Sequence, residues 1–186
     1  MIDGFYADYP EVKLYVENCK RCVLDPGFID NPYGRRRRAT PFHGDESLLA
    51  ASEREFVNFP IQSTVADAEN TALINLYWWR ARNPGLCDYK IALAIHDANM
   101  LLVPAAQARM AAKRVLPECM TSLCTIPSWS FFPWAEPTQP FQLDIDVGVT
   151  LRWGEEATLK ELLEVGVDSE TANEFAKRDK EGVLVA

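Results

Sequence analysis

Apolar and polar positions along this chain follow two periods, one helical and one strand-like. From Tyr9 to Leu24 the residues Val12, Leu14, Tyr15, Val16, Cys19 and Val23 recur largely at helical spacing. Pro10 suits the first turn of such a helix, where its missing N–H costs nothing, and Pro26-Gly27 stops it. Residues 28–34 read as a short extended piece ending in a turn, which delivers Arg35, Arg36, Arg37 and Arg38 to an exposed position. After a loop over 39–46, Ser47 to Glu55 starts another helix, with Leu48, Leu49 and Phe56 directed inward. Pro60 restricts the residue before it, so Asn58 to Ile61 is expected to interrupt that helix. A long helix follows from about Ser63 to Arg80, with Val65, Ala68, Ala72, Leu73, Leu76 and Trp79 on its apolar face.

The period then changes. Tyr89 to Ile95 is a strand-like apolar run, His96-Asp97-Ala98-Asn99 a tight turn, and Met100 to Val103 a second short strand, which together predict a β-hairpin. Pro104 ends it, and a helix is predicted from about Ala105 to Cys119, with Lys113 and Arg114 solvated. Residues 127–140 are irregular, with Trp129, Phe131, Phe132 and Trp134. Phe141 to Leu151 alternates as a strand would, with Leu143, Ile145 and Val147 on one face and the hairpin as its expected partner. The stretch from Ala157 onward predicts one or two short helices. The whole pattern is α+β: a small antiparallel sheet backed by helices.

Composition changes this picture little. The 186 residues, 48% hydrophobic and 25% charged, fit a soluble globular domain. No apolar run reaches the roughly 20 residues needed to span a bilayer. The opening Met1-Ile2-Asp3-Gly4 lacks the basic-then-apolar pattern of a secretory signal, so a cytoplasmic location and no membrane partner are expected.

Charge changes it more. The formal net charge is −8, of which −5 falls in residues 155–186. An acidic body of this kind does not bind DNA by bulk electrostatics, but the block Arg35 to Arg38 can act as a local phosphate-binding patch or as a merely solvated surface. Five cysteines are scattered without a repeating frame. The Cys19-x-x-Cys22 spacing allows half a zinc site or a redox pair, or two small side chains on one buried helix face.

Two constellations carry candidate chemistry. Asp97 stands at the hairpin tip, where aspartate is a common turn former and also a suitable oxygen ligand for Mg²⁺. Arg54, Asn58 and Gln62 repeat every fourth residue, so they share a side of neighbouring helical turns if Pro60 only kinks the chain. Arginine pairs with phosphate, and the two amides donate to acceptors common to all base pairs in the minor groove, or else serve as caps and surface hydrogen bonds.

At these places the sequence resembles the family A DNA polymerases of the bacterial polymerase I and T-odd phage type. Gly27-Phe28-Ile29-Asp30 through Gly34-Arg35-Arg36-Arg37 resembles the segment after the fingers subdomain. The run from Arg54 to Asp67 resembles the family's R-x-x-x-N-x-P-I-Q-G-T-x-A-D motif, and Ile95-His96-Asp97-Ala98 its V-H-D-E palm motif. Tyr9 to Lys13, and Asp144 to Gly148 followed by Trp153, are similar to family positions in the same order.

The resemblance implies a partial family A fold: residues 1–154 as the C-terminal fingers and palm portion, its palm sheet carrying a metal-site hairpin. Residues 155–186 read as an acidic, helical tail with no family counterpart, expected to bind another protein. The resemblance also implies that Asp97 is one catalytic carboxylate, shared by two Mg²⁺ ions. By the same resemblance His96 lies by the primer terminus, Arg54 meets the DNA backbone, Asn58 and Gln62 follow the minor groove, and Arg35 and Arg36 lie near the duplex. The implied partners are primer–template DNA and deoxynucleoside triphosphates, joined by attack of the primer 3′-hydroxyl on the α-phosphate. Ala98 stands where the family has glutamate, and Ser63 where it commonly has glycine. The family's other metal-binding aspartate and its triphosphate-binding lysine have no match here. The expectation is therefore half of a split, phage-like polymerase, inactive alone, needing a polypeptide that carries the N-terminal motifs and packing against it through an exposed apolar face for which Trp78, Trp79 and Phe5 are candidates. The alternative is an inactive remnant that binds DNA or protein.

Overall fold

A computed structural model describes residues 2–96, 98–130, 132, 134, 136–152 and 155–178. Phe131, Trp153 and Asp97, named above, lie outside the described residues. Contacts group the chain into two compact units, residues 1–68 with 126–141, and residues 69–125 with 142–186.

In the first unit, α1 (Ile2–Asp8) leads into α2 (Pro10–Leu24), with Pro10 at the start as its missing N–H allows. Helix α2 buries Cys19, Cys22 and Val23, whereas Val12 and Leu14, expected inside, are exposed. The inward face is thus carried by the small residues of the last two turns. After Gly27, which takes a positive φ of 80°, the chain forms a hairpin that the sequence did not announce. Strand β1 (Phe28–Asp30) pairs antiparallel with β2 (Arg36–Arg38), in the register Ile29↔Arg37. Three of the four arginines, Arg36 to Arg38, are therefore half of a ladder. Three strand residues of like charge gave no alternation to detect.

Asp45 caps the next helix by accepting from the Ser47 amide at 2.8 Å, and with the Ser47 hydroxyl also bonded to it, its carboxyl is held below the usual range. That helix, α3 (Glu46–Arg82), is one unbroken run of 37 residues with Pro60 inside it. The expected interruption at 58–61 does not occur. Proline in a helix interior costs about 3 kcal/mol through its missing bond to the carbonyl four residues back. Here the ring is fully buried, and Tyr15 donates its hydroxyl to the Val57 carbonyl at 2.9 Å on the same stretch. Burial and the cross-link from α2 hold the turn. Cys19, Cys22, Val23, Ile29, Phe56 and Phe132 form the core of this unit. Of the residues predicted inward on α3, Phe56 is in that core, while Leu48 and Val65 are exposed.

The second unit packs the C-terminal part of α3 against a helical segment, α4 (residues 105–122). Leu76, Trp79, Cys87 and Tyr89 meet Ala111, Val115 and Cys119 there. Trp79 is thus a core residue at 4% exposure and not part of a free apolar face, while Trp78 at 50% and, in the first unit, Phe5 at 50% are exposed. Segment α4 runs to Ser122, opening as a 3-10 turn at Ala105–Gln107 and passing through π-helical turns at Ala111–Val115 and Glu118–Ser122. Asn75 donates its amide to the Cys119 and Leu123 carbonyls, both at 3.0 Å, satisfying the end of α4.

The predicted hairpin is present as β3 (Lys90–Ile95) and β4 (Ala98–Leu102). Ile95 pairs with Ala98, so Ala98 and Asn99, expected in the turn, already belong to the second strand. The strand expected over 141–151 does not form: Phe141 makes a single bridge to Ile126, and no described residue from 142 to 151 belongs to a strand. Nothing among the described residues pairs with that run, and an alternating sequence without a ladder partner does not make a strand.

Residues 157–176 fold back within this unit. Thr158 and Glu161 form a capping box for α5 (Leu159–Glu164), and Asp168 caps α6 (Ser169–Phe175). Between them Gly166, at φ 90°, closes a Schellman turn in which the Val167 amide donates to the Leu162 carbonyl at 3.0 Å. Leu162, Val167, Ala172 and Ala176 bury themselves with Ala108 of α4. Their acidic neighbours pair with bases of α4: Glu170 with Arg109, and Glu174 with Lys113. The fold is α+β, with two small antiparallel sheets among the described residues.

Candidate nucleic-acid interface

Because α3 does not break at Pro60, residues four apart along it stay on one side. Arg54, Asn58 and Gln62 follow this spacing over about 12 Å of helix, the length of three to four base-pair steps. All three are exposed, and they line one cleft of about 530 Å³ together with Arg37, Ala51, Glu55 and Phe59. None of the three side chains makes an ion pair or hydrogen bond among the described residues. The structure therefore brings this predicted set together, with its donors uncommitted. Arg37, a member of the arginine block, joins the cleft wall and pairs with Glu55.

The arginine block is otherwise occupied. Arg35 grips Asp67 with two donors, at 3.0 and 2.6 Å. Arg36 grips Asp30 the same way, at 2.7 Å twice, and its guanidinium lies 3.7 Å from the centre of the Phe28 ring. Asp67, Asp30 and Glu55 thus match three of the four arginine charges, and Arg38 is exposed without an ion pair among the described residues. Arg35 and Arg36 keep free only the N–H groups that these pairs leave over.

The Arg35 pair is part of a buried junction. Asn31, with no exposed surface, donates to Asp67 at 2.7 Å and to the Ser63 hydroxyl at 3.0 Å, and accepts from the Arg35 amide at 2.9 Å. The guanidinium of Arg35 holds the Asp67 carboxyl below the usual carboxylate range, against partial burial, which raises it. Ser63 and Asp67 are four residues apart on α3, so the junction fixes the β1–β2 hairpin to the same helix that presents Asn58 and Gln62. Asp67 closes the helix motif, and the four-residue spacing from Ser63 was the available signal for its inward position. For Asn31 the sequence held none.

At the other candidate position, His96 is exposed and takes a positive φ of 53°. A two-residue hairpin loop requires that sign at its first position. The loop end is open to solvent at His96 and Ala98, while Asp97 itself lies outside the described residues. An aspartate is the right donor type for Mg²⁺, but no group of three or more His, Cys, Asp or Glu among the described residues is placed to hold a metal.

Cys19 and Cys22 are core residues. Burial pushes the Cys19 thiol up to about 11 and raises Cys22 as well, so neither is a thiolate at neutral pH, the form that zinc and disulfide exchange require. No helix among the described residues is long and apolar enough to cross a membrane.

Comparison with known proteins agrees with the helix motif. The sequence profile of DNA polymerase family A matches residues 1–155. DNA polymerase I of Chloroflexus aurantiacus is 32% identical over 124 residues, 66% of this chain and 13% of that protein. The Pseudomonas aeruginosa DNA polymerase I is 32% identical over 103 residues, covering 55% of this chain and 11% of the relative. The thermostable DNA polymerase I of Thermus thermophilus is 27% identical over 153 residues, 82% of this chain and 16% of the relative. The match thus spans only a small part of each relative's length. With the profile covering most of its residues, the chain belongs to DNA polymerase family A.

Proposed function

We propose that this chain is the C-terminal fingers and palm portion of a DNA-directed DNA polymerase, and that it acts in the cytoplasm on primer–template DNA and deoxynucleoside triphosphates. The observation that carries this is the row Arg54, Asn58 and Gln62, uncommitted along one side of an unbroken helix, in a chain of this family. Arg54 pairs with backbone phosphate, while Asn58 and Gln62 donate to the minor-groove acceptors that every base pair presents. Such a row senses the shape of a correct pair without reading sequence. Arg35 and Arg36 lie by the same duplex and contribute what their pairs with Asp67 and Asp30 leave free. His96 stands by the primer end.

Asp97 supplies one carboxylate to the two-Mg²⁺ site, and a second comes from a polymerase segment outside these 186 residues that also carries the triphosphate-binding lysine. Bound Mg²⁺ neutralises triphosphate charge and lowers the pKa of the primer hydroxyl. Residues 155–186 are an addition to the family portion. The 186 residues alone neither extend nor cleave DNA.

The first test is binding of a primer–template duplex by the chain and by Arg54→Ala, Asn58→Ala and Gln62→Ala. The reading expects each variant to bind more weakly with an unchanged fold, and equal binding by all of them would remove the row from its role. A second reading, a scaffold that binds DNA without chemistry, is favoured by Ala98 at the position of the family glutamate. Primer extension with the complementary segment separates the two.

A further inference from the structure

The cleft along α3 has one carboxylate among its described lining, Glu55, set between two arginines. Arg54 precedes it on the helix, and Arg37 reaches it from β2. The ladder fixes Arg37 at that wall, opposite Ile29, and its guanidinium donates to one oxygen of Glu55. The pair differs from the other two of the arginine block. Arg35 and Arg36 each engage both oxygens of their partners, and Asp67 is further bonded by buried Asn31. Arg37 and Glu55 hold each other by a single hydrogen bond among the described residues, and their side chains are 43% and 49% exposed. The pair is not what fastens the hairpin to α3, because the Asn31, Ser63 and Asp67 junction already does so.

We propose that Glu55 is an internal competitor for duplex phosphate in this cleft. In the free chain it occupies Arg37 and keeps that guanidinium at the cleft wall. When the backbone of a nucleic-acid duplex enters along the row, a phosphate replaces Glu55 on Arg37. The exchange is feasible because an exposed ion pair is weak and screened. A phosphate offers guanidinium two acceptor oxygens, and its arrival releases condensed counterions. The displaced carboxylate stays beside the bound backbone and repels it. Duplex affinity is thereby set below what Arg37 and Arg54 would give together. Glu55 is in this sense a positioning residue that acts through Arg37 and makes no contact with the duplex of its own.

The inference rests on the proposed duplex-binding role, and binding of a primer–template duplex by the 186-residue chain over a range of salt concentrations tests both. Glu55→Gln is expected to bind about threefold more tightly, with an unchanged denaturant midpoint. Arg37→Ala should bind about fivefold more weakly and lower the salt dependence by about one counterion. In the Arg37→Ala background, Glu55→Gln should bring no gain. Glu53→Gln removes the same charge two residues away, where Glu53 pairs with Lys20 at 3.2 Å outside the cleft lining, and should leave binding unchanged. Equal or weaker binding by Glu55→Gln would overturn the competitor, as would no measurable binding by the chain and by Glu55→Gln alike. A gain of the same size without Arg37, or from Glu53→Gln, would reduce the effect to net charge and overturn it too. A gain through Arg37 with the Arg54, Asn58 and Gln62 variants all binding normally would count against the proposed row and leave the competitor standing.

Discussion

Asn31 shows how much of a site can rest on a residue that touches no ligand. It is fully buried and bonded to Asp67, Ser63 and the backbone of Arg35. Asn31→Ala leaves those groups without partners and is expected to cost about 2 kcal/mol, read as a lower denaturant midpoint. The neighbouring Asp67 has its pKa lowered in the folded state, so its contribution is complete above the unfolded value, about pH 4, and is lost as pH falls through the folded one. Asp67→Asn should therefore flatten the acid side of the stability profile, and an unaltered acid limb would contradict the Arg35–Asp67 account. The outward row behaves in the opposite way. Asn58→Ala and Gln62→Ala are expected to change stability by less than about 0.5 kcal/mol and to weaken duplex binding five- to tenfold. Arg54→Ala should lower the salt dependence of binding by about one counterion. The row was legible in the sequence as a four-residue spacing. The Asn31 junction was not, because one turn asparagine looks like any other until its surroundings close over it.

At the scale of elements, the sequence announced most helices and the β3–β4 hairpin, and its errors have physical causes. Pro60 reads locally as a break, but tertiary burial and the Tyr15 hydroxyl outweigh the lost bond. Residues 141–151 read as a strand, but a strand exists only in a ladder, and its pattern alone could not say whether the partner was present. The tail was legible as short helices, and not as packed against α4. Its ion pairs with Arg109 and Lys113 are exposed and screened by solvent, whereas Leu162 is fully buried. Leu162→Ala is thus expected to cost about 2–4 kcal/mol and free the tail to proteolysis, and Glu170→Ala with Glu174→Ala to do little. The reverse order would mean that charge, not burial, holds the tail.

At the scale of the whole molecule, family membership was legible because motifs recur in order, and the coordinates add that α3 presents its motif without interruption. The metal site was not legible as a structure, because the reading places one of its ligands outside these residues and the other, Asp97, outside those described. The central claim is that Asp97 is a shared catalytic carboxylate. Primer extension by the chain combined with the segment bearing the remaining motifs, with Asp97 or with Asp97→Ala, tests it most directly. The account predicts incorporation that needs both polypeptides and falls at least a thousandfold in the variant, roughly 4 kcal/mol of barrier. Equal extension by the variant, or robust extension by the 186-residue chain alone, would contradict it.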